Sequence, residues 1–383
     1  MIIEIIILIT LFGVTGWFFN LNLGSGIDNF QLPSEVKIVH ISFADKELMH
    51  MTLRQKVSSL LVLHTSGTDV ATLQNYLKTY QPGGLIFMGD NIPPTLTELT
   101  SITGQLQTSL ALPYLFAIDE EGGVVKRLPQ DDLPAAIDLR SLPVADTESA
   151  FLQRSTILKQ VGMNLNFGIV ADVTNDPSSF IYSRVFGGDS VSVADRISAA
   201  VNGAKGLTLS TLKHYPGHGE TVDDSHSSIP STNVSFERWQ QYDEPSFVSG
   251  IKAGAQVVMF GHLAYSAVDS LPASLSSKWH DILKKQDGFN GITITDDMVM
   301  LQQSGDPNYA DPVANSITAL NAGNTMLLFV LDHGGESDFS PDILIDGLVA
   351  AVNDGKISQI TIDNDVRQVL TLRHSLPIIL NGK

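Results

Sequence analysis

The chain has 383 residues, 43% of them apolar, so it can bury a large core; intrinsic disorder is excluded, and the length suits one large barrel or two ordinary domains. Its 41 acidic and 23 basic side chains leave a net charge of -18, without the basic footprint that phosphate-backbone binding requires, which argues against nucleic acid as a partner. The absence of cysteine excludes a disulfide framework, thiolate metal sites and a cysteine nucleophile, and says nothing decisive about compartment.

Residues 1–19 come first. Ile2 to Phe19 form an apolar run whose only charge is Glu4. As a helix it would extend about 27 Å, close to the thickness of a hydrocarbon core. Trp17, Phe18 and Phe19 stand where an interfacial belt would lie. No alanine precedes Ala44 and no basic residue precedes Lys37, which favours an uncleaved membrane anchor, with a cleaved secretory signal segment and a buried first helix as the alternatives. An extracytoplasmic enzyme, held at the membrane or secreted, is expected. A linker follows over 20–33, and 34–383 reads as a single catalytic domain, expected to be monomeric.

Within that domain, eight short apolar runs alternate with helix-compatible stretches: Leu60 to His64, Gly84 to Met88, Tyr114 to Asp119, Leu165 to Asp172, Ser210 to Tyr215, Gln256 to His262, Gly291 to Asp297 and Thr325 to Val330. Several are apolar at consecutive positions, as strands covered on both faces of a parallel sheet should be. The expected fold is α/β, a (β/α)8 TIM-like barrel, with a doubly wound open sheet as the alternative. Ionisable residues end five of the runs: Asp119, Asp172, Lys213 with His214, His262, and Asp296 with Asp297. A lone aspartate there is usually a cap or turn residue. Several on the open face of one barrel predict a shared polar pocket.

The densest chemistry lies in KHYPGHGETVDDSH, Lys213 to His226. No HExxH pair is present, and its glycines and proline imply a loop, which lowers a metal reading. Asp224 could orient His226 for proton transfer, or the loop could simply be tied by local Asp and Ser hydrogen bonds. Of the tandem acids, one carboxylate could act as a nucleophile, while its neighbour points the other way and could instead orient partners or cap the next helix. A nucleophilic carboxylate with a separate proton donor suits retaining glycoside hydrolysis. No GxSxG elbow and no glycine-rich phosphate loop occurs.

KHYPGHG with DSH at this spacing resembles the signature of the single-domain β-N-acetylhexosaminidases of glycoside hydrolase family 3. So do PGGLIFMGDNI, IDEEGG with the following KR, NFGIVADV, SRVFGGD and ITDDM, and the likeness runs from Met51 to Val330. The resemblance implies a retaining, exo-acting β-N-acetylglucosaminidase, without cofactor or metal, releasing terminal N-acetylglucosamine from saccharides such as peptidoglycan fragments. It implies Asp296 as nucleophile, His226 paired with Asp224 as acid/base, and Asp119, Arg127, Arg184, Lys213 and His214 as the residues that hold the sugar. Val124 stands where an arginine is usual, Glu220 where an aspartate is usual, and the stretch after Asp297 departs from the pattern. The lack of room for the second α/β domain of β-glucosidase relatives points to the hexosaminidase branch. The alternatives are a β-glucosidase or glycoside phosphorylase using the same residues, and a catalytically silent glycan-binding barrel.

Overall fold

The third apolar run shows why the sheet closes as it does. Leu115 and Ala117 pack with Leu165, Phe167, Val257, Met259, Ile292 and Ile294 of other strands. Phe116 and Ile118, alternating with them, pack outward with Leu73, Leu77, Leu99 and Leu158 of the surrounding helices. A strand with apolar partners on both faces has no side left for water, so it belongs in a helix-covered parallel sheet.

The computed structural model describes residues 41–108, 112–221, 223–225, 227–331 and 340–377. All eight expected strands are present: β1 (Leu61–Leu63), β2 (Gly84–Phe87), β3 (Leu115–Ile118), β4 (Leu165–Val170), β5 (Leu209–Tyr215), β6 (Val257–Phe260), β7 (Ile292–Asp297) and β8 (Met326–Phe329). Every neighbouring pair is parallel, and pairing of β1 with β8 closes the barrel. The open-sheet alternative is thereby ruled out. The anchor over 1–19 and the linker over 20–33 lie outside the described residues, among which no helix is long and apolar enough to cross a membrane.

Helices begin where short polar side chains can satisfy their free N–H groups. Thr52 and Thr95 form reciprocal capping boxes with Gln55 and Glu98, and Asp69, Asp189, Ser235 and Ser276 accept from the first turns of their helices. The helices Phe43–His50 and Gln359–Ser375 meet on the outside of the barrel. Phe43 stacks on His374 at 4.0 Å, and Arg367 Nε reaches Asp45 Oδ1 at 2.6 Å.

The strand ends carrying ionisable residues all open on one face. Register shifts occur between β4 and β5, β5 and β6, and β7 and β8 toward that end. Such irregularities re-aim side chains at a barrel rim. Behind β5, Tyr215 meets Trp239, Phe247, Phe260 and Trp279 edge-on at 5.1 to 6.1 Å, and Trp239 meets Trp279 at 4.8 Å. This aromatic block braces the segment that bears Lys213 and His214. Trp279→Ala should therefore destabilise the fold by about 3–5 kcal/mol, the range for large aromatics truncated in a core, read as a lower denaturation midpoint.

Candidate active site

Asp119, Glu120 and Glu121 follow β3, and successive side chains there take different surroundings. Asp119 accepts from Lys213 Nζ at 2.9 Å and faces Arg127 Nη2 at 3.5 Å. Glu121 reaches Lys213 Nζ at 2.7 Å and accepts from Arg184 through Nε at 2.9 Å and Nη2 at 2.7 Å, a bidentate pairing. Glu120 turns to the backbone and accepts from the N–H groups of Arg127 and Leu128 at 2.8 and 3.0 Å. The Asn166 amide closes on both the N–H and the C=O of Glu120. Gly122 and Gly123, at φ +87° and +66°, supply the left-handed turn that brings Arg127 back over the mouth.

Charge follows these contacts. Burial raises the Glu121 carboxyl, but Arg184 and Lys213 outweigh it and hold the group down at about 2. Asp119 is lowered by the same balance, with Lys213 and Arg127 opposing burial. Glu120 has no cation to oppose burial, and it rises to about 8 with Asp131 beside it. Lys213 is nearly sealed, with 3% of its side chain exposed, whereas Asp119 at 18% and Arg127 at 25% present atoms to the open mouth.

His214 completes this cradle. Its Nδ1–H donates to Asp172 Oδ2 at 2.7 Å, so the free Nε2 accepts from Arg184 Nη2 at 3.3 Å. Burial, reinforced by Arg184, pushes the imidazole well below its usual range, and it is neutral at pH 7. Asp172 also takes the backbone N–H groups of His214 and His218 at 3.1 and 2.7 Å, and burial lifts its carboxyl to about 6 against those bonds. The following loop hangs from two aromatic donors: Trp239 Nε1 to the Pro216 carbonyl and Tyr265 Oη to the Gly217 carbonyl, both 2.8 Å.

Across the mouth, at the end of β7, Asp296 Oδ1 accepts from the N–H of Asp297 at 2.8 Å. Burial would raise Asp296, but His214, His262, Lys213 and that N–H hold it below the ordinary carboxylate range. His214 is neutral at pH 7, whereas Lys213 is raised by Asp119 and Glu121 and stays a cation. Asp297 faces away, as alternation requires, and caps the turn: its Oδ1 accepts from the N–H groups of Val299 and Val330 at 3.1 and 3.0 Å, and burial pushes it to about 7. The two adjacent carboxyls thus differ sharply in ionisation.

Asp119, Arg127, Arg184, Lys213 and His214 form one connected network, and Asp296 lies within the electrostatic reach of its Lys213 and His214. Asp224 sits in a turn whose carbonyl accepts from the N–H groups of Ser227 and Ser228. His226 lies outside the described residues. Glu121, central to the web, was not singled out from the sequence; its place two residues after Asp119 was the available signal. Asp172 and His262 stood out there only as strand-end residues. Among the described residues, no group of three or more His, Asp or Glu is arranged to hold a metal ion.

The family model of the glycosyl hydrolase family 3 N terminal domain matches residues 52–372. A β-hexosaminidase of Stenotrophomonas maltophilia is 29% identical over 254 residues, covering 63% of this chain and 75% of its own. β-Hexosaminidase A of Pseudoalteromonas piscicida is 26% identical over 334 residues; the match covers 80% of this chain but only 55% of that protein. A family 3 β-N-acetylglucosaminidase from a Paenibacillus strain superposes with a TM-score of 0.78 at 28% identity, covering 85% of this chain and 62% of that one. A β-N-acetylhexosaminidase of Beutenbergia cavernae gives 0.74 at 25% identity, covering 85% and 99%.

The Glu121 web leads to a stability test. A carboxylate depressed in the folded state stabilises above its unfolded pKa, and that stabilisation disappears as pH falls through the folded value. From the ordinary 4.5 to about 2, Glu121 accounts for about 3 kcal/mol. Glu121→Gln should be less stable than wild type by about that much at pH 7, and the gap should close between about pH 4.5 and 2 in denaturant titrations across pH.

Proposed function

The chain belongs to glycosyl hydrolase family 3, and from that membership and the geometry of the barrel mouth we propose that it is a retaining, exo-acting β-N-acetylglucosaminidase. The observation that carries this reading is Asp296: a carboxylate kept ionised at the rim, facing a cradle of Asp119, Lys213, Arg184 and His214. A sugar ring resting in that cradle offers hydroxyls to Asp119 and acceptor oxygens to Arg127 and Arg184. Asp296 then attacks the anomeric carbon and forms a glycosyl ester, while the His226 imidazolium, oriented by Asp224, gives its proton to the departing oxygen. In the second half, the same imidazole takes a proton from water, which attacks the anomeric carbon and breaks its bond to the aspartyl oxygen, restoring the carboxylate.

The names of the relatives support N-acetylglucosamine at the non-reducing end of the substrate. Peptidoglycan fragments fit an enzyme whose residues 1–19 hold it at a membrane on the outer side. That placement rests on the apolar run alone, and partition of the full chain into washed membranes tests it.

A chromogenic N-acetylglucosaminide should be turned over, and Asp296→Ala should lower kcat by at least about a thousandfold with the fold intact, since removal of a covalent nucleophile abolishes the intermediate. A slow fluoro-glycosyl donor followed by peptide mapping should label Asp296. No turnover of any N-acetylhexosaminide, or a label on another residue, overturns the reading.

The pH profile supplies a further check. Asp296 remains ionised into acid, so the acid limb belongs to Asp172, whose protonation removes the acceptor for His214 Nδ1–H. The value of kcat/KM should fall as pH drops through about 6, not through the ordinary carboxylate range near 4.

A further inference from the structure

His262 ends the β6 run, is 1% exposed, and has no part in the sugar cradle described above. Its Nε2 lies 3.0 Å from the backbone carbonyl of Asp297, and its Nδ1 lies 2.7 Å from Ser274 Oγ. A carbonyl oxygen can only accept, so Nε2 carries the proton. Ser274 Oγ meets the other ring nitrogen, and the two bonds together fix the orientation of the imidazole.

Ser274 is itself immobilised. Its N–H donates to the Gly261 carbonyl at 3.2 Å, and its own carbonyl accepts from Asn324 Nδ2 at 2.7 Å, just before β8. Ser274, His262 and Asn324 are all buried. The chain Asn324, Ser274, His262 therefore ends on the carbonyl of Asp297, in the peptide group that joins Asp297 to Met298.

Asp297 is held from other sides as well. The Asp297 N–H is taken up by Asp296 Oδ1, and the Asp297 carboxyl is tied to the N–H groups of Val299 and Val330. His262 is the group that holds its carbonyl from the β6 side. Without it, the Asp297 Cα, which joins the peptide group bearing that carbonyl to the one bearing the Asp297 N–H, would shift, and the Asp296 carboxylate would follow through the 2.8 Å bond from that N–H.

We propose that the Ser274–His262 pair is a positioning device for the nucleophile: it clamps the Asp297 carbonyl and so fixes the direction of attack by Asp296. The proposal rests on the reading of Asp296 as the nucleophile. His262 is a positioning residue, acting through the Asp297 peptide without touching sugar. Its loss should slow ester formation without weakening the grip on the ring, which the cradle around Lys213 supplies.

The test uses the full chain, as wild type, His262→Ala, His262→Gln and Ser274→Ala, with the slow fluoro-glycosyl donor and free N-acetylglucosamine as probes. Glutamine places an amide N–H near the position of Nε2 and can keep the bond to the carbonyl. The single-turnover rate of ester formation at saturating donor should fall about a hundredfold in H262A, as expected for a displaced reacting group. H262Q should recover to within about tenfold of wild type and S274A should fall between, with affinity for N-acetylglucosamine changed less than about twofold in all three. Should H262A fail to fold, H262Q and S274A carry the comparison. A loss confined to sugar affinity, a rate in S274A equal to wild type, or no advantage of H262Q over H262A overturns the clamp and leaves the nucleophile reading standing. Absence of an ester at Asp296 in the wild type overturns both.

Discussion

Two cations sunk at the mouth of a barrel require an acid between them, and Glu121 is that acid. Lys213 from β5 and Arg184 from the loop after β4 converge on one carboxylate that follows β3. Buried charge is costly unless paired and hydrogen-bonded, so this contact decides whether the cradle can exist at all. It leaves Asp119 to share Lys213 and Arg127 while still facing solvent, and it leaves Arg184 a donor for His214. The open face of the barrel is built outward from that carboxylate.

The same mouth sorts carboxyls that are neighbours in sequence. In Asp119-Glu120-Glu121, the outer two face cations and are lowered, while the middle one faces backbone N–H groups and rises to about 8. In Asp296-Asp297, the first is lowered and the second rises to about 7. Alternation of side chains along an extended segment is the mechanism. It gives neighbouring acids separate surroundings, one group ionised among the charges of the mouth and the next bound to the backbone.

The architecture was legible because each strand is a short apolar run with turn or helix signals on both sides, and because consecutive apolar positions distinguish a doubly covered strand from a half-exposed one. The residues of the mouth were legible as strand ends, and Asp119, Lys213, His214 and Asp296 through the likeness of their motifs. Partners were not legible. Nothing in IDEEGG says that Glu121 reaches Lys213, 92 positions later, or that Glu120 turns inward to order Arg127. His262 and Ser274 lie 12 residues apart in a stretch whose only sequence signal is the histidine itself; their bond depends on a turn over Ala273–Leu275 that composition does not reveal. Long-range pairing of polar groups follows from barrel closure, which no local pattern encodes.

The mooring of the loop after β5 gives the molecule a built-in optical reporter. Trp239 is fully buried, stacks with Phe236, and holds the Pro216 carbonyl through its indole nitrogen. Its excited state is sensitive to that single bond and to the polarity around it. Any displacement of the Pro216–Gly217 segment when saccharide enters the mouth would alter emission from Trp239 and from Trp279, whose ring lies 4.8 Å away. Loop motion in this barrel is thus accessible to stopped-flow fluorescence of the unlabelled chain, on the timescale of a single catalytic cycle.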